Sequence, residues 1–270
     1  MTHSESALGA PRNHSAELAA CEELLTFAKS KLHPWSGNPR RRVHDGILMA
    51  EGARATKSYQ AAVALCGLGF GEQAAMLNRS IFEGSLGAHW VADHPEEAAR
   101  LFERHQRDVQ VRWVDKLTRL GWADNLELPE PASARERREL QDLFGAHGQK
   151  LWTGHRNLHH LAGAVEHHWP GGRARDEWRE FIEAPYHEAN LILHTGSSAL
   201  SRTATLDPEG GPTLNFDIGP SDQYVGPALY AAMWTYSQTL TLLMDEFEIP
   251  ERAAFNDLFV RLRTAFDRTG

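Results

Sequence analysis

Apolar residues along this chain recur in steps of three and four, the period of an amphipathic helix, and short Gly- and Pro-containing loops separate the runs. Ser15 caps a first helix with Leu18, Cys21, Leu25, Ala28 and Leu32 on its inner side, followed by a loop over 33–39. The second helix is predicted from Asp45 to Leu68, tightly packed through its alanines and ended by Gly67, Gly69 and Gly71. A third, Glu72 to Ala92, places Ser80, Gly84 and Ala88 at four-residue steps. Glycine inside a helix costs about 1 kcal/mol against alanine, so another helix is expected to come close there.

Pro95 opens a fourth helix to Leu120, with a packing stripe of Ala98, Leu101, Phe102, His105, Val109, Trp113, Leu117 and Leu120. After a loop, Ser133 and Glu136 form a capping box for a fifth helix that ends near Gly148. A helix from Asn157 to His167 stops at Trp169-Pro170-Gly171-Gly172, and Asp176 starts another that Pro185 restarts or kinks. Thr203 to Gln223 reads as loop with a short extended piece at Thr213–Asp217. A long apolar helix over Tyr224–Phe247 and an amphipathic one after Pro250 (Phe255, Leu258, Phe259, Leu262, Phe266) close the pattern. It predicts an all-α bundle of about eight to nine helices. Residues 1–14 are expected to be disordered and 15–270 to form a single helical domain.

Composition narrows the class. With 41% hydrophobic and 24% charged residues, the 270-residue chain reads as an ordinary globular protein. No apolar run reaches the roughly 20 residues of a membrane span, and a cytoplasmic location without a membrane partner is expected. Cys21 and Cys66 have no metal-like spacing and read as small buried residues. A net charge of −8 argues against a nucleic-acid-coated surface. Local basic candidates remain at Arg40-Arg41-Arg42, at Arg135, Arg137 and Arg138, and at Arg173, Arg175 and Arg179; solvated faces are the plainer reading of each.

Against this background, polar residues at helical spacing inside apolar runs stand out. Arg79 and Glu83 lie one turn apart; Glu183, His187 and His194 share a face if their helix is continuous. Buried charge needs partners, so these residues mark a place. Arg79, Glu83, His187 and His194 are the catalytic candidates, and Tyr186, Asn190 and Trp152 the substrate-binding ones.

The order Arg79-Ser80-x-x-Glu83, Trp152-Thr153-Gly154 and Tyr186-x7-His194 resembles a bacterial all-helical family of unknown function, over about residues 45–245. The last motif of that family, Y-R-x-x-S-x-x-x-H, is similar to the R-x(4–6)-H signature of HEPN helical ribonucleases. The resemblance implies a HEPN-like bundle, often a homodimer, that cleaves RNA through Arg and His without a metal, in a defence or toxin–antitoxin setting. Here His187 stands in place of the Arg and Asn190 in place of the Ser, so such an enzyme would be degenerate. Arg100 to His105 has the spacing intact, but His105 falls on the packing stripe and reads as a core histidine.

Two alternatives come from the residues themselves. Fifteen histidines raise the question of a metal, with His155, His159, Glu183, His187 and His194 as candidate ligands. No Glu-x-x-His or His-Glu-x-x-His step supports a ferritin-like or zincin site, and no cofactor is otherwise implied. Alternatively Arg79, Glu83, Tyr186 and His194 form a structural network in a non-catalytic interaction module. Gly67-Leu68-Gly69-Phe70-Gly71 follows a helix rather than a strand, and so predicts a helix-to-helix turn rather than a phosphate cradle.

Overall fold

A computed structural model describes residues 14–31, 43–123, 126–146, 148–165, 178, 181–187, 204–206, 214–216, 220 and 224–267. The protein is all-α and multi-helical: α1 Ser15–Lys31, α2 Val43–Gly67, α3 Gly71–Asp93, α4 Pro95–Arg119, α5 Ala134–Phe144, α6 Leu158–Ala164, α7 Val225–Glu246 and α8 Arg252–Asp267. A single π-helical turn spans Ile182–Tyr186. The extended piece expected near 213–217 is a short strand, β2 (Leu214–Phe216), paired antiparallel with β1 (Ala204–Leu206). The N-terminal segment, the three arginines at 40–42, those at 173, 175 and 179, and Asn190 and His194 lie outside the described residues.

The chain groups into two compact units, one of residues 1–39, 49–85 and 181–270, the other of 40–48 and 86–180. In the first, α1 packs on α7 and α8 around a core that includes Leu24, Tyr59, Ile81, Leu229, Tyr236 and Phe255. Tyr59 stacks on Tyr236 at 4.4 Å between centroids and donates its hydroxyl to the Cys21 carbonyl at 3.0 Å. Both cysteines are free and buried, and burial pushes each thiol up to about 12. The inner face of α1 is Ala20, Cys21, Leu24 and Ala28, with Leu18 and Leu25 only partly covered.

Close helix approaches explain two glycines of this unit. A Cβ on Gly84 would overlap the Arg54 guanidinium, which bonds Glu51 Oε2 through Nε at 2.9 Å and Ser80 Oγ through Nη1 at 2.8 Å. The small residues at 80 and 84 thus make room for an ion pair from α2, which matches the expectation of a close neighbour. At the start of α3, a Cβ on Gly71 would run into the backbone of Tyr224 and Val225. Between α2 and α3, Gly69 takes φ +80° and Phe70 N–H bonds the Leu65 carbonyl at 2.8 Å, a helix-to-helix turn as predicted.

The second unit pairs α4 with α5. Ser133 caps α5 by accepting from the Glu136 N–H at 3.1 Å. Instead of completing the capping box, the Glu136 carboxylate takes Arg107 Nε at 2.8 Å. Arg137 pairs with Asp115, and Glu139 accepts from both Arg104 and Arg135. The arginines at 135 and 137 are therefore neutralised by acidic partners, in line with the plainer reading of that cluster.

One face differs from expectation. Val109, Trp113 and Leu120, placed on the α4 packing stripe by periodicity, are 47%, 48% and 47% exposed. The buried positions are Ala98, Leu101, Asp108, Val111 and Leu117. Asp108 tolerates this because Arg112, one turn on, meets its carboxylate at 2.6 Å.

Candidate functional site

The site grows from α3. Asn78 and Arg79 are adjacent on it, Phe82 and Glu83 lie one turn further, and all belong to the first unit. Arg79 donates Nε to Glu83 Oε1 at 2.8 Å, the i, i+4 pairing expected from sequence. Tyr186 donates its hydroxyl to the same carboxylate oxygen at 2.7 Å, and the Arg79 guanidinium lies over the Tyr186 ring, 5.5 Å from its centroid. Partial burial works against the Arg79 charge, but the Glu83 carboxylate and Tyr186 outweigh it and hold the guanidinium above its ordinary range. Beyond Glu83, Tyr186 also acts on the Arg79 guanidinium, through its hydroxyl and its ring.

Tyr186 reaches this position through the π-helical turn. Pro185 has no N–H, and its ring would clash with the carbonyl four residues back in a regular α-helix; the wider turn relieves both. Glu183 lies in that turn and His187 directly follows it, while His194, the third member of the expected face, lies outside the described residues. Glu183 and His187 are exposed, while Phe181 is buried, stacked on Phe82 at 5.0 Å and on Trp234 at 4.6 Å.

These side chains wall a cavity of about 160 Å³. Phe82, Phe181, Ala228 and Ala231 supply its apolar lining, and Tyr186, Tyr224, Tyr230 and Arg79 its partly exposed residues. Asn78 also lines it: its Nδ2 donates to the Ala228 carbonyl at 2.7 Å, and its Oδ1 is buried without a partner. Asn78, Tyr224 and Tyr230 had no signal in the sequence beyond their neighbours. Asn78 borders the conspicuous Arg79, and the two tyrosines open a helix that periodicity assigns to the core.

Trp152 lies in the second unit, edge-on to Trp90 at 6.0 Å and to Phe102 at 5.7 Å. His155 precedes α6, which starts at Leu158 under an Asn157 cap, so His155 and His159 do not share that helix. The His155 ring meets Thr153 Oγ1 at 2.9 Å, and burial lowers its pKa against the pull of Glu97. His105, half-buried, sits edge-on to Phe144 at 5.2 Å, which fits a core histidine. Among the described residues no three His, Cys, Asp or Glu are grouped to hold a metal ion, and no helix is long and apolar enough to cross a membrane.

The model of a family of unknown function, DUF5677, matches residues 46–211. The chain belongs to DUF5677. The matched span takes in Asn78, Arg79, Glu83 and Tyr186 and stops before α7, so the Tyr224–Ala231 wall of the cavity lies outside it. No curated protein and no solved structure matches the chain.

Proposed function

We propose that this DUF5677 protein is RNA-directed and holds a single strand at the Arg79 cleft without a metal ion. The observation that supports this reading is the Arg79 guanidinium: held by Glu83 through Nε, it is partly exposed at the wall of a tyrosine-lined cavity. A partly exposed guanidinium suits a phosphate. Partly exposed tyrosines offer faces on which unstacked bases settle. The Arg135 and Arg137 side chains, by contrast, are paired to acids.

Cleavage in this scheme would use Arg79 as the cation facing the phosphorane and His187 with His194 as proton carriers. A chain degenerate in those groups binds without cutting. The homodimer and the defence or toxin–antitoxin setting belong to the same proposal. The network also favours a second reading, a non-catalytic interaction module, because Glu83 joins α3 to the π-helical turn through Tyr186.

The test is fluorescence anisotropy with a short single-stranded RNA in EDTA, at two salt concentrations. Wild type should bind, more weakly at high salt. Arg79→Ala should lose about tenfold in affinity with an unchanged circular dichroism spectrum, and Arg135→Ala should behave as wild type. A wild type that binds no RNA, or an Arg79→Ala variant that binds it equally well, leaves only the interaction module.

A further inference from the structure

The exposed face of α4 has the spacing of a helix-pairing seam. Val109, Trp113 and Leu120 are each close to half exposed, and Phe102, two turns before Val109, is partly exposed. Steps of seven, four and seven residues separate these four, the a and d positions of a heptad, and Gln106 and Lys116 occupy the two places between them. The helix α5 docks on other residues of α4, through Arg104, Arg107 and Asp115. At 3.6 residues per turn those three point roughly 180° away from the seam. Past the helix end Gly121 takes φ +70°, the Trp122 N–H bonds the Leu117 carbonyl at 3.0 Å, and the Trp122 side chain is left 64% exposed.

The polar positions of the seam choose its occupant. Lys116 is exposed in the middle of it, and its ammonium makes no ion pair or hydrogen bond among the described residues. In an antiparallel pair of such seams a positions face d positions. Val109 then faces the partner's Leu120 and Trp113 faces the partner's Lys116, each contact made twice by the two-fold axis. Apolar residues cover one another on either side, and in the middle each ammonium lies over an indole, a cation–π contact. A parallel pair would set the two Lys116 side chains against each other. A lipid surface is the competing occupant, and the net charge of −8 disfavours an anionic one.

We propose that α4 pairs antiparallel with α4 of a second copy of this chain, Trp113 of each against the partner's Lys116. The exposed parts of Val109, Trp113, Leu120 and Trp122 amount to about 450 Å², the size at which apolar patches mark interaction sites. Doubled across a pair and widened by Phe102, Gln106 and Lys116, the contact reaches about 1,000 Å², the lower bound of a specific interface. The association is accordingly of about micromolar strength. The homodimer is thereby given a surface in the second unit, far along the chain from Arg79 and independent of whether RNA binds there.

The experiment is sedimentation velocity of the full chain without RNA, from about 1 to 100 μM. Wild type should pass from monomer to dimer across that range. Trp113→Lys sets two ammonium groups face to face and should weaken association about thirtyfold, with an unchanged circular dichroism spectrum. Adding Lys116→Glu to it restores opposite charges and should recover most of the loss. The register is read by cross-linking, since Cys21 and Cys66 are buried and do not interfere. A mixture of Val109→Cys and Leu120→Cys chains should form a disulfide between unlike chains. Leu120→Cys alone should not, because its two copies lie about 16 Å apart along the helix axis. A wild type that stays monomeric, a dimer indifferent to Trp113→Lys, or Leu120→Cys chains that link readily to themselves overturns the proposal. So does a monomer that binds phosphatidylserine vesicles and loses them with Trp113→Lys, which would assign the face to a membrane.

Discussion

Replacing Tyr186 with Phe removes one oxygen and nothing else from the network that ties the π-helical turn to α3. The ring stays in place against Phe82, 5.4 Å between centroids, and beneath the Arg79 guanidinium, so only the 2.7 Å bond to Glu83 is lost. A hydrogen bond to a buried charged group contributes about 1.5–3 kcal/mol. Glu83 is 37% exposed and Arg79 30%, so the released carboxylate recovers water and the loss shrinks to about 1 kcal/mol. Glu83→Gln keeps the acceptor but removes its charge, and combining the two changes isolates their coupling. We expect a coupling energy of about 1 kcal/mol from urea unfolding of wild type, both single variants and the double variant. A coupling below about 0.3 kcal/mol would show that the carboxylate does not anchor Tyr186, and the description of the site would fail there.

Other outcomes follow from packing and ionisation. Gly71→Ala should destabilise by about 1–2 kcal/mol, because its Cβ meets backbone at Tyr224 and Val225 rather than a side chain that can swing away; stability equal to wild type in a denaturant titration would contradict that contact. Trp90→Ala, at a side chain only 2% exposed, should cost about 3–5 kcal/mol, whereas Trp113→Ser, at 48% exposure, should cost less than about 1 kcal/mol. Comparable losses would mean that the α4 face is covered. Cys21 and Cys66 ionise near 9.0 when unfolded but only at about 12 when folded, so the unfolded chain sheds these protons first as pH rises. Their contribution is complete below pH 9 and is lost between there and about 12, at up to about 1.4 kcal/mol per pH unit for each thiol. Native thiols should resist alkylation at pH 8 and react fully in denaturant, and fast native labelling of either one would overturn this.

Helix boundaries were legible where a local chemical signal sets them. Ser133 and Asn157 cap α5 and α6, Pro95 opens α4, and the Gly67–Gly71 run turns α2 into α3. Face selection on α4 was not legible, because both the Leu101–Asp108–Val111 set and the Val109–Trp113–Leu120 set fit a helical period. What decides between them is the Arg112 partner of Asp108 and the ion pairs to α5, and neither shows in an apolar pattern. The Arg79–Glu83 pair could be read from its spacing, and Tyr186 from its place beside an odd polar stripe. The π-helical turn could not: Pro185 announces a break, but the apolar pattern does not say whether the chain kinks, stops or widens there. Asn78 escaped notice for a similar reason, since its place in the site is set by the bond its nitrogen makes to the Ala228 carbonyl of α7.

The most direct measurement is photo-crosslinking of the full chain to a short RNA carrying 4-thiouridine, followed by mass spectrometric localisation of the adduct. Crosslinks are expected at Tyr186, Tyr224 or Tyr230, lost when Arg79 is replaced by Ala. Crosslinks confined to the α4–α5 surface, or none at protein concentrations that saturate binding, would contradict it.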